Sequence, residues 1–198
     1  MIKIAKIIKS NSHVDYVGRV IDAIDVDEPP VASDYGFAQF VSVPLDDDSE
    51  VIGVIYNSQL INPEYGNFGP RLSSAEVNSV LSPDYLNEQG LLVGILLLGW
   101  RDEKKVNHHR VPRRVIPVNQ DIYRLEDEDA LQFHKGEDGR VRLHYYSQVI
   151  THAGLFSAPL IEAIIEQLEP ACEPEERQRL CVLKNALVWQ RTVGGQRL

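Results

Sequence analysis

The sequence predicts an α+β protein in which a small, closed, mainly antiparallel β-barrel precedes a C-terminal α-helical hairpin. Three apolar stretches each carry a glycine in their interior, at Gly18, Gly53 and Gly94. Glycine weakens a regular strand, so a glycine inside a strand marks a bend, a bulge or the close approach of another backbone. After residue 157 the apolar residues recur at helical spacing, which places the helices at the end of the chain.

Five strands are predicted in the first hundred residues, over 3–10, 14–24, 37–43, 51–61 and 91–100. These segments are rich in branched apolar side chains, and polar or proline-containing turns separate the first four. The acidic turn between the third and fourth strands indicates a β-hairpin.

The connection over residues 62–88 is long for a compact domain, and loops of this length are often functional or mobile. We predict a short helical turn within it, over 74–80. One alternative function is a hydrolase or another enzyme whose site forms from this loop, although no acid–base pair of residues supports it. Beyond the fifth strand, the pattern predicts a short helix over 126–133 and a strand or extended segment over 141–150.

Two helices are predicted near the C-terminus. The first has Ser157 as its N-cap and Pro159 in its first turn, and it ends at Pro170. The second begins at Pro174, and the glycine pair at 194–195 ends it.

These elements divide the chain into a barrel domain, residues 1–120, and a mixed connector with the helical hairpin, residues 121–198. The apolar face over 180–189 is wider than one partner helix covers. It either caps the barrel or is buried against another subunit.

Composition limits the class of protein. The chain has 198 residues and a net charge of −9, which argues against non-specific binding to nucleic-acid phosphates. The N-terminus does not have the pattern of a signal peptide, and the run 91–100 is too short for a membrane helix. We therefore expect a cytoplasmic protein without a membrane partner, in which Cys172 and Cys181 stay reduced.

The order of the glycine strands resembles a known family. Residues 17–21 (VGRVI), 35–41 (YGFAQFV) and 50–55 (EVIGVI), followed by 114–118 (RVIPV), are similar to the N-terminal barrel shared by HerA-type ATPases and the subunits of rotary ATP synthases. The resemblance covers residues 3–118. The second motif departs from the family pattern, because Gln39 stands where the first valine is expected.

In that family the barrel packs into a ring or docks a partner protein, and the ATPase domain that follows carries the chemistry. No phosphate loop occurs in this chain, and Gln196 follows the glycine pair at 194–195 where such a loop would need lysine. The resemblance therefore implies assembly or docking and does not imply ATP hydrolysis. We expect no cofactor.

A basic segment is the main local irregularity in this acidic chain. Its cationic and imidazole side chains are candidates for binding an anion or a partner: Arg101, Lys104, Lys105, His108, His109, Arg110, Arg113 and Arg114. Such a cluster suits phosphate, RNA or an acidic protein face. The alternative is a solvated loop whose charges offset neighbouring carboxylates. No aromatic residue interleaves the cationic cluster, which weakens the case for single-stranded nucleic acid.

No metal site is expected. His108 and His109 are adjacent, so on a strand they would point to opposite faces, and His144 and His152 stand alone in the sequence. The acidic stretch 46–50 lacks the glycine and the spacing of a calcium loop.

The sequence thus predicts a non-enzymatic assembly or docking module that works through protein–protein contacts or self-association, and an accessory role to an ATPase or a nuclease fits this prediction. The alternative is a nucleic-acid-binding accessory protein that uses the basic segment 101–114.

Overall fold

The computed structural model describes residues 1–62, 90–136 and 138–194, and it describes the side chains of these residues except 171 and 186–194. Most of the predicted 62–88 connection, with its helical turn and the enzyme site suggested for it, lies outside the described residues. For residues 186–189, at the end of the predicted apolar face over 180–189, the side chains are likewise not among those described.

Six antiparallel strands form a closed barrel, which confirms the predicted fold class. Their order is β2-β1-β7-β3-β4-β5, and pairing between β2 and β5 closes the sheet. A short strand, β6, continues the sheet beyond β5. The strands are β1 (Lys3–Ser10), β2 (Asp15–Val20), β3 (Phe40–Pro44), β4 (Glu50–Ile61), β5 (Gly90–Arg101), β6 (Asn107–His108) and β7 (Asp121–Arg124).

The long strands β4 and β5 pair along almost their whole length, and the register shifts twice. One shift lies between Ile52 and Gly53, and the other lies between Ile55 and Asn57. Such bulges bend a strand and increase its twist, which is how a sheet of few strands closes on itself. The predicted hairpin between β3 and β4 is present, with Val43 opposite Val51.

Three boundaries differ from the sequence-based expectation. The second strand ends at Val20 instead of residue 24, because a turn follows in which the Asp25 backbone N–H donates to the Asp22 carbonyl at 3.0 Å. The third strand begins at Phe40 instead of residue 37, because Ala38 has a φ of 64° and belongs to a turn. The barrel also takes in β7, which lies between β1 and β3 and thus beyond residue 120. A four-residue strand is too short to show a periodic pattern.

Four α-helices are described: α1 (Asp127–His134), α2 (Tyr146–His152), α3 (Ser157–Leu168) and α4 (Pro174–Gly194). The strand or extended segment predicted over 141–150 is wrong in its second half, which belongs to α2. Tyr145 and Val149 are both buried at a spacing of four residues, as on the inner face of a helix. At the start of α3, Phe156 occupies the N-cap position instead of Ser157.

The helices pack on the barrel through one continuous core. Barrel residues such as Ile52 and Leu96 share this core with Phe133 of α1 and Leu160 of α3. Side-chain amides add polar anchors: Gln148 donates to the Leu97 carbonyl at 3.1 Å, and Gln167 donates to the Ala38 carbonyl at 3.0 Å. These contacts hold the helices in a fixed position against the barrel.

None of the helices in the described part of the chain has the length and apolarity that crossing a membrane requires. Cys172 is buried and Cys181 is exposed, and both are free thiols.

Candidate functional site

Two of the three strand glycines singled out in the sequence, Gly18 and Gly53, lie where side chains of neighbouring strands come close. A Cβ atom at Gly18 would come within 2.6 Å of the Ile122 side chain, and one at Gly53 would come within 2.8 Å of the Ile95 side chain. These distances are shorter than normal carbon contacts, so a larger residue would push the strands apart. These two glycines shape the barrel.

A glycine that the sequence analysis did not single out is more tightly enclosed. A Cβ atom at Gly99 would overlap the carbonyl oxygen of His108, which belongs to β6. At Gly94 the nearest atom would be a ring carbon of Tyr56, at 3.1 Å. Gly99 therefore lets β6 lie directly against β5 and positions the start of the basic segment.

Arg101 has an internal role. Its guanidinium lies 2.7 Å from the Glu50 carboxylate, and both side chains are nearly buried, with 12% and 11% of their surface exposed. The same guanidinium donates to the Asn107 side chain at 3.1 Å and to the Asp129 carbonyl at 3.4 Å. Arg101 thus joins β4, β5, β6 and α1, and it is not free to bind a ligand.

Two other cations of the segment contact the turn between β3 and β4. Arg114 forms an ion pair with Asp47, and Lys105 donates to the Asp48 carbonyl at 3.3 Å. The hydrogen bond from Ser49 and the ion pair with Arg114 lower the pKa of Asp47. The basic segment therefore offsets acidic groups of its own chain, as the solvated-loop interpretation expects.

His108 is held against the barrel by a stacked ring. Its imidazole lies 4.7 Å from the Trp100 ring, with 17° between the two planes, and its Nε2 lies 3.0 Å from the Asp102 carboxylate. This hydrogen bond lowers the pKa of Asp102. The arrangement fixes the hairpin between β5 and β6.

His109 points the other way, into a buried aromatic cluster. Its Nε2 donates to the Phe133 carbonyl at 2.8 Å, and its ring packs on Phe133 and Tyr145. Burial lowers the pKa of His109. His108 and His109 thus point to opposite faces, as expected for neighbours on a strand. His109 anchors the hairpin between β5 and β6 to α1.

At the centre of this cluster is a histidine–tyrosine pair that the sequence analysis missed. His134 Nε2 accepts a hydrogen bond from the Tyr145 hydroxyl at 2.6 Å, and His134 Nδ1 donates to the Ala130 carbonyl, also at 2.6 Å. His134 is fully buried, which lowers its pKa to about 3. Its ring is therefore neutral at physiological pH, and both of its nitrogens are satisfied.

The remaining cations of the segment are Lys104, Arg110 and Arg113, whose side chains form no ion pair with any residue that the structure describes. Arg113 lines a cleft of about 230 Å³ to which Trp100 also contributes. The charged lining comprises the carboxylates of Asp47, Asp102 and Glu103 and the guanidinium groups of Arg113 and Arg114, so acidic side chains outnumber basic ones there. Anion binding by the segment stays a prediction that depends on these three side chains.

Within the described ranges, no group of three or more His, Cys, Asp or Glu side chains is placed to hold a metal ion. His144, which stands alone in the sequence, does have a neighbour in the fold, since its ring centroid lies 5.9 Å from that of His109.

A second surface is apolar. Phe37, Leu155 and Phe156 form what we call the apolar ridge, in which the two phenyl rings lie 6.0 Å apart. Leu155 is 97% exposed, and Phe37 and Phe156 are 47% and 43% exposed. The ridge borders a groove of about 290 Å³ that Tyr56 and Leu91 also line.

The fold holds this ridge in place. Phe37 belongs to the turn before β3, whereas Leu155 and Phe156 lie in a single 3₁₀ turn, Gly154–Phe156, between α2 and α3. Gly154 has a φ of 55°, which favours glycine and lets the chain reverse there. The two halves are more than one hundred residues apart, so no local pattern could have revealed the ridge.

Comparison with known proteins places the chain in a family. The family model described as "Domain of unknown function (DUF8166)" matches residues 1–197, and the chain belongs to that family. No curated protein shows significant similarity to the chain.

Proposed function

We propose that this member of the DUF8166 family is a non-enzymatic docking module that works through protein–protein contacts. The observation that carries the proposal is the apolar ridge, where the exposed rings of Phe37 and Phe156 lie 6.0 Å apart and the preceding residue, Leu155, is 97% exposed. Contiguous exposed apolar side chains bordered by polar residues are typical of interaction sites. Aromatic residues are also enriched in interface cores.

The groove beside the ridge supports a protein partner with an apolar side chain. No charged side chain is found among the described residues that line the groove. Of its two phenols, Tyr35 and Tyr56, the second already donates to the Asp15 carboxylate at 2.9 Å. Burial and this hydrogen bond raise the pKa of Tyr56 to about 12, so the Tyr56 hydroxyl stays neutral. An apolar side chain entering it would displace water without leaving a charge unpaired.

The resemblance of residues 3–118 to the ring-forming barrels suggests what kind of protein the partner is. A closed barrel with helices packed on one face is compatible with docking onto a separate ATPase or nuclease, or onto further copies of the chain. Nucleic acid has less support as a partner, because Arg101, Lys105 and Arg114 are engaged within the chain.

The test compares the wild type with Leu155→Ser/Phe156→Ser and with Ile24→Ser. Ile24 is 64% exposed in the turn after β2 and serves as the control for removing an exposed apolar side chain. Size-exclusion chromatography with light scattering measures self-association, and quantitative mass spectrometry measures the proteins captured from the cell extract.

We expect the ridge variant to lose self-association or one specific captured protein, and the Ile24 variant to keep it. A monomeric wild type whose captured proteins match those of the ridge variant would contradict the proposal. Titration of a short oligonucleotide at low salt tests the alternative, since phosphate contacts would give strongly salt-dependent binding.

A further inference from the structure

A cavity of about 330 Å³ lies between the segment 138–144 and the first turns of α4. Its polar lining comprises Asp138, Arg140, Arg142, His144, Glu176 and Arg179. We propose that this cavity binds a small molecule through a phosphate monoester group. The proposal is independent of the docking function, because none of these residues belongs to the apolar ridge.

The local sequence concentrates basic side chains in this segment. Arg140, Arg142 and His144 lie within five residues, with Val141 and Leu143 between them, and all five residues line the cavity. The segment is held at its start by the bridge that Val141 forms with Lys135. Three basic side chains are therefore brought to one side of the cavity.

The helix α4 completes the cavity from the opposite side. It contributes Arg179 to the lining, together with Glu176 and Leu180. Glu176 accepts a hydrogen bond from the Val141 backbone N–H at 2.7 Å, and this bond ties the helix to the segment. The cavity therefore has two walls that are fixed relative to each other.

The two carboxylates in the cavity are already engaged, whereas two of its cations are not. Asp138 accepts from the Arg142 guanidinium at 3.1 Å and from the Arg140 backbone N–H at 3.2 Å. The guanidinium groups of Arg140 and Arg179 form no ion pair with any residue in the described ranges. Two forked donors, one on each wall, are thus available to a ligand.

The chemistry of these groups favours a phosphate. A guanidinium presents parallel N–H donors that match the oxygens of a phosphate, and such charge-assisted pairs are stronger than neutral hydrogen bonds. The volume is at the small end of the range for ligand sites, which suits a small molecule. Leu143 and Leu180 supply apolar wall for its organic part. The whole chain carries a net charge of −9, so this group of basic side chains is a local exception to its acidic composition.

Isothermal titration calorimetry at constant ionic strength tests the proposal with two probes, glycerol 3-phosphate and inorganic phosphate. The cavity variant is Arg140→Gln/Arg179→Gln. The control, Lys6→Gln/Lys9→Gln, removes the same charge from exposed side chains of β1 outside the cavity. Circular dichroism confirms that each variant is folded.

We expect the wild type and the control to bind glycerol 3-phosphate equally, and the cavity variant to bind it at least about tenfold more weakly, as expected for the loss of charge-assisted hydrogen bonds. Equal binding by both variants, or a signal that sodium chloride reproduces, would overturn the proposal. A phosphoserine peptide forms a third arm. If it bound more tightly than glycerol 3-phosphate, a modified protein would replace the small molecule as the ligand.

Discussion

Because one buried histidine stays neutral in the folded protein, we predict that the protein loses stability in mild acid. His134 is fully buried between α1 and Tyr145, and burial lowers its pKa from 6.5 to about 3. An unfolded chain has no such constraint, so its histidine binds a proton near pH 6.5. Proton binding therefore favours the unfolded chain below pH 6.5, and the free energy of unfolding decreases as the pH falls from 6.5 towards 3.

The magnitude follows from the difference between the two pKa values. Each pH unit between them costs about 1.4 kcal/mol, so lowering the pH from 7 to 5 removes about 2 kcal/mol from the free energy of unfolding. Few carboxylates titrate in this window, because their pKa values lie near 4 or below. His109 acts in the same direction, since burial lowers its pKa as well.

Urea unfolding at pH 7 and pH 5 measures the effect on the wild type, on His134→Gln and on His152→Gln. Glutamine can still donate to the Ala130 carbonyl and accept from Tyr145, but it does not titrate. We expect His134→Gln to be less stable than the wild type at pH 7 and to lose about 2 kcal/mol less on acidification. The exposed His152 is the control and should leave the wild-type pH dependence unchanged. Equal losses in the wild type and in His134→Gln would refute the reasoning, as would protonation of the His134 ring in the folded protein near pH 6.5.

Three other predictions concern the framework of the barrel. Gly99→Ala places a methyl group on the His108 carbonyl and should lower the free energy of unfolding by about 3 kcal/mol. Gly36→Ala should cost far less, because nothing lies within 4 Å of a Cβ atom at that position, and chemical denaturation compares the two variants. Glu50→Gln leaves the Arg101 cation nearly buried without its partner and should cost about 3 kcal/mol, against less than about 1 kcal/mol for Glu166→Gln in an exposed pair. Cys181 should react with a disulfide reagent on the order of tenfold faster than Cys172, because Cys172 is buried and burial raises the pKa of its thiol. Equal rates, or equal losses of stability within either pair of variants, would count against these assignments.

The sequence predicts those parts of the fold whose signals are local. Segments rich in branched apolar residues, with glycines in their interior, indicate the barrel, and the apolar spacing after residue 157 indicates the last two helices. The strand β7 gives no such signal, because it has four residues and is defined by its neighbours β1 and β3. The helix α2 is missed because aromatic and β-branched residues also suit a strand.

The candidate sites depend more strongly on distant contacts. The eight residues of the basic segment are close in sequence, yet the fold separates them: His108 lies against Trp100, while His109 enters the cluster with Phe133. The pairing of Arg101 with Glu50 joins positions 51 residues apart. The apolar ridge likewise combines a turn before β3 with a turn after α2. Such contacts follow from the tertiary fold, and no spacing rule along the chain encodes them.

Site-specific photo-crosslinking in living cells tests the docking role of the apolar ridge most directly. A photoreactive phenylalanine derivative is placed at Leu155 in one protein and at the exposed Ile24 in another. The account predicts a discrete adduct with one protein, or with a second copy of the chain, at position 155 and none of comparable yield at position 24. The same faint products at both positions, or no adduct at position 155, would contradict it.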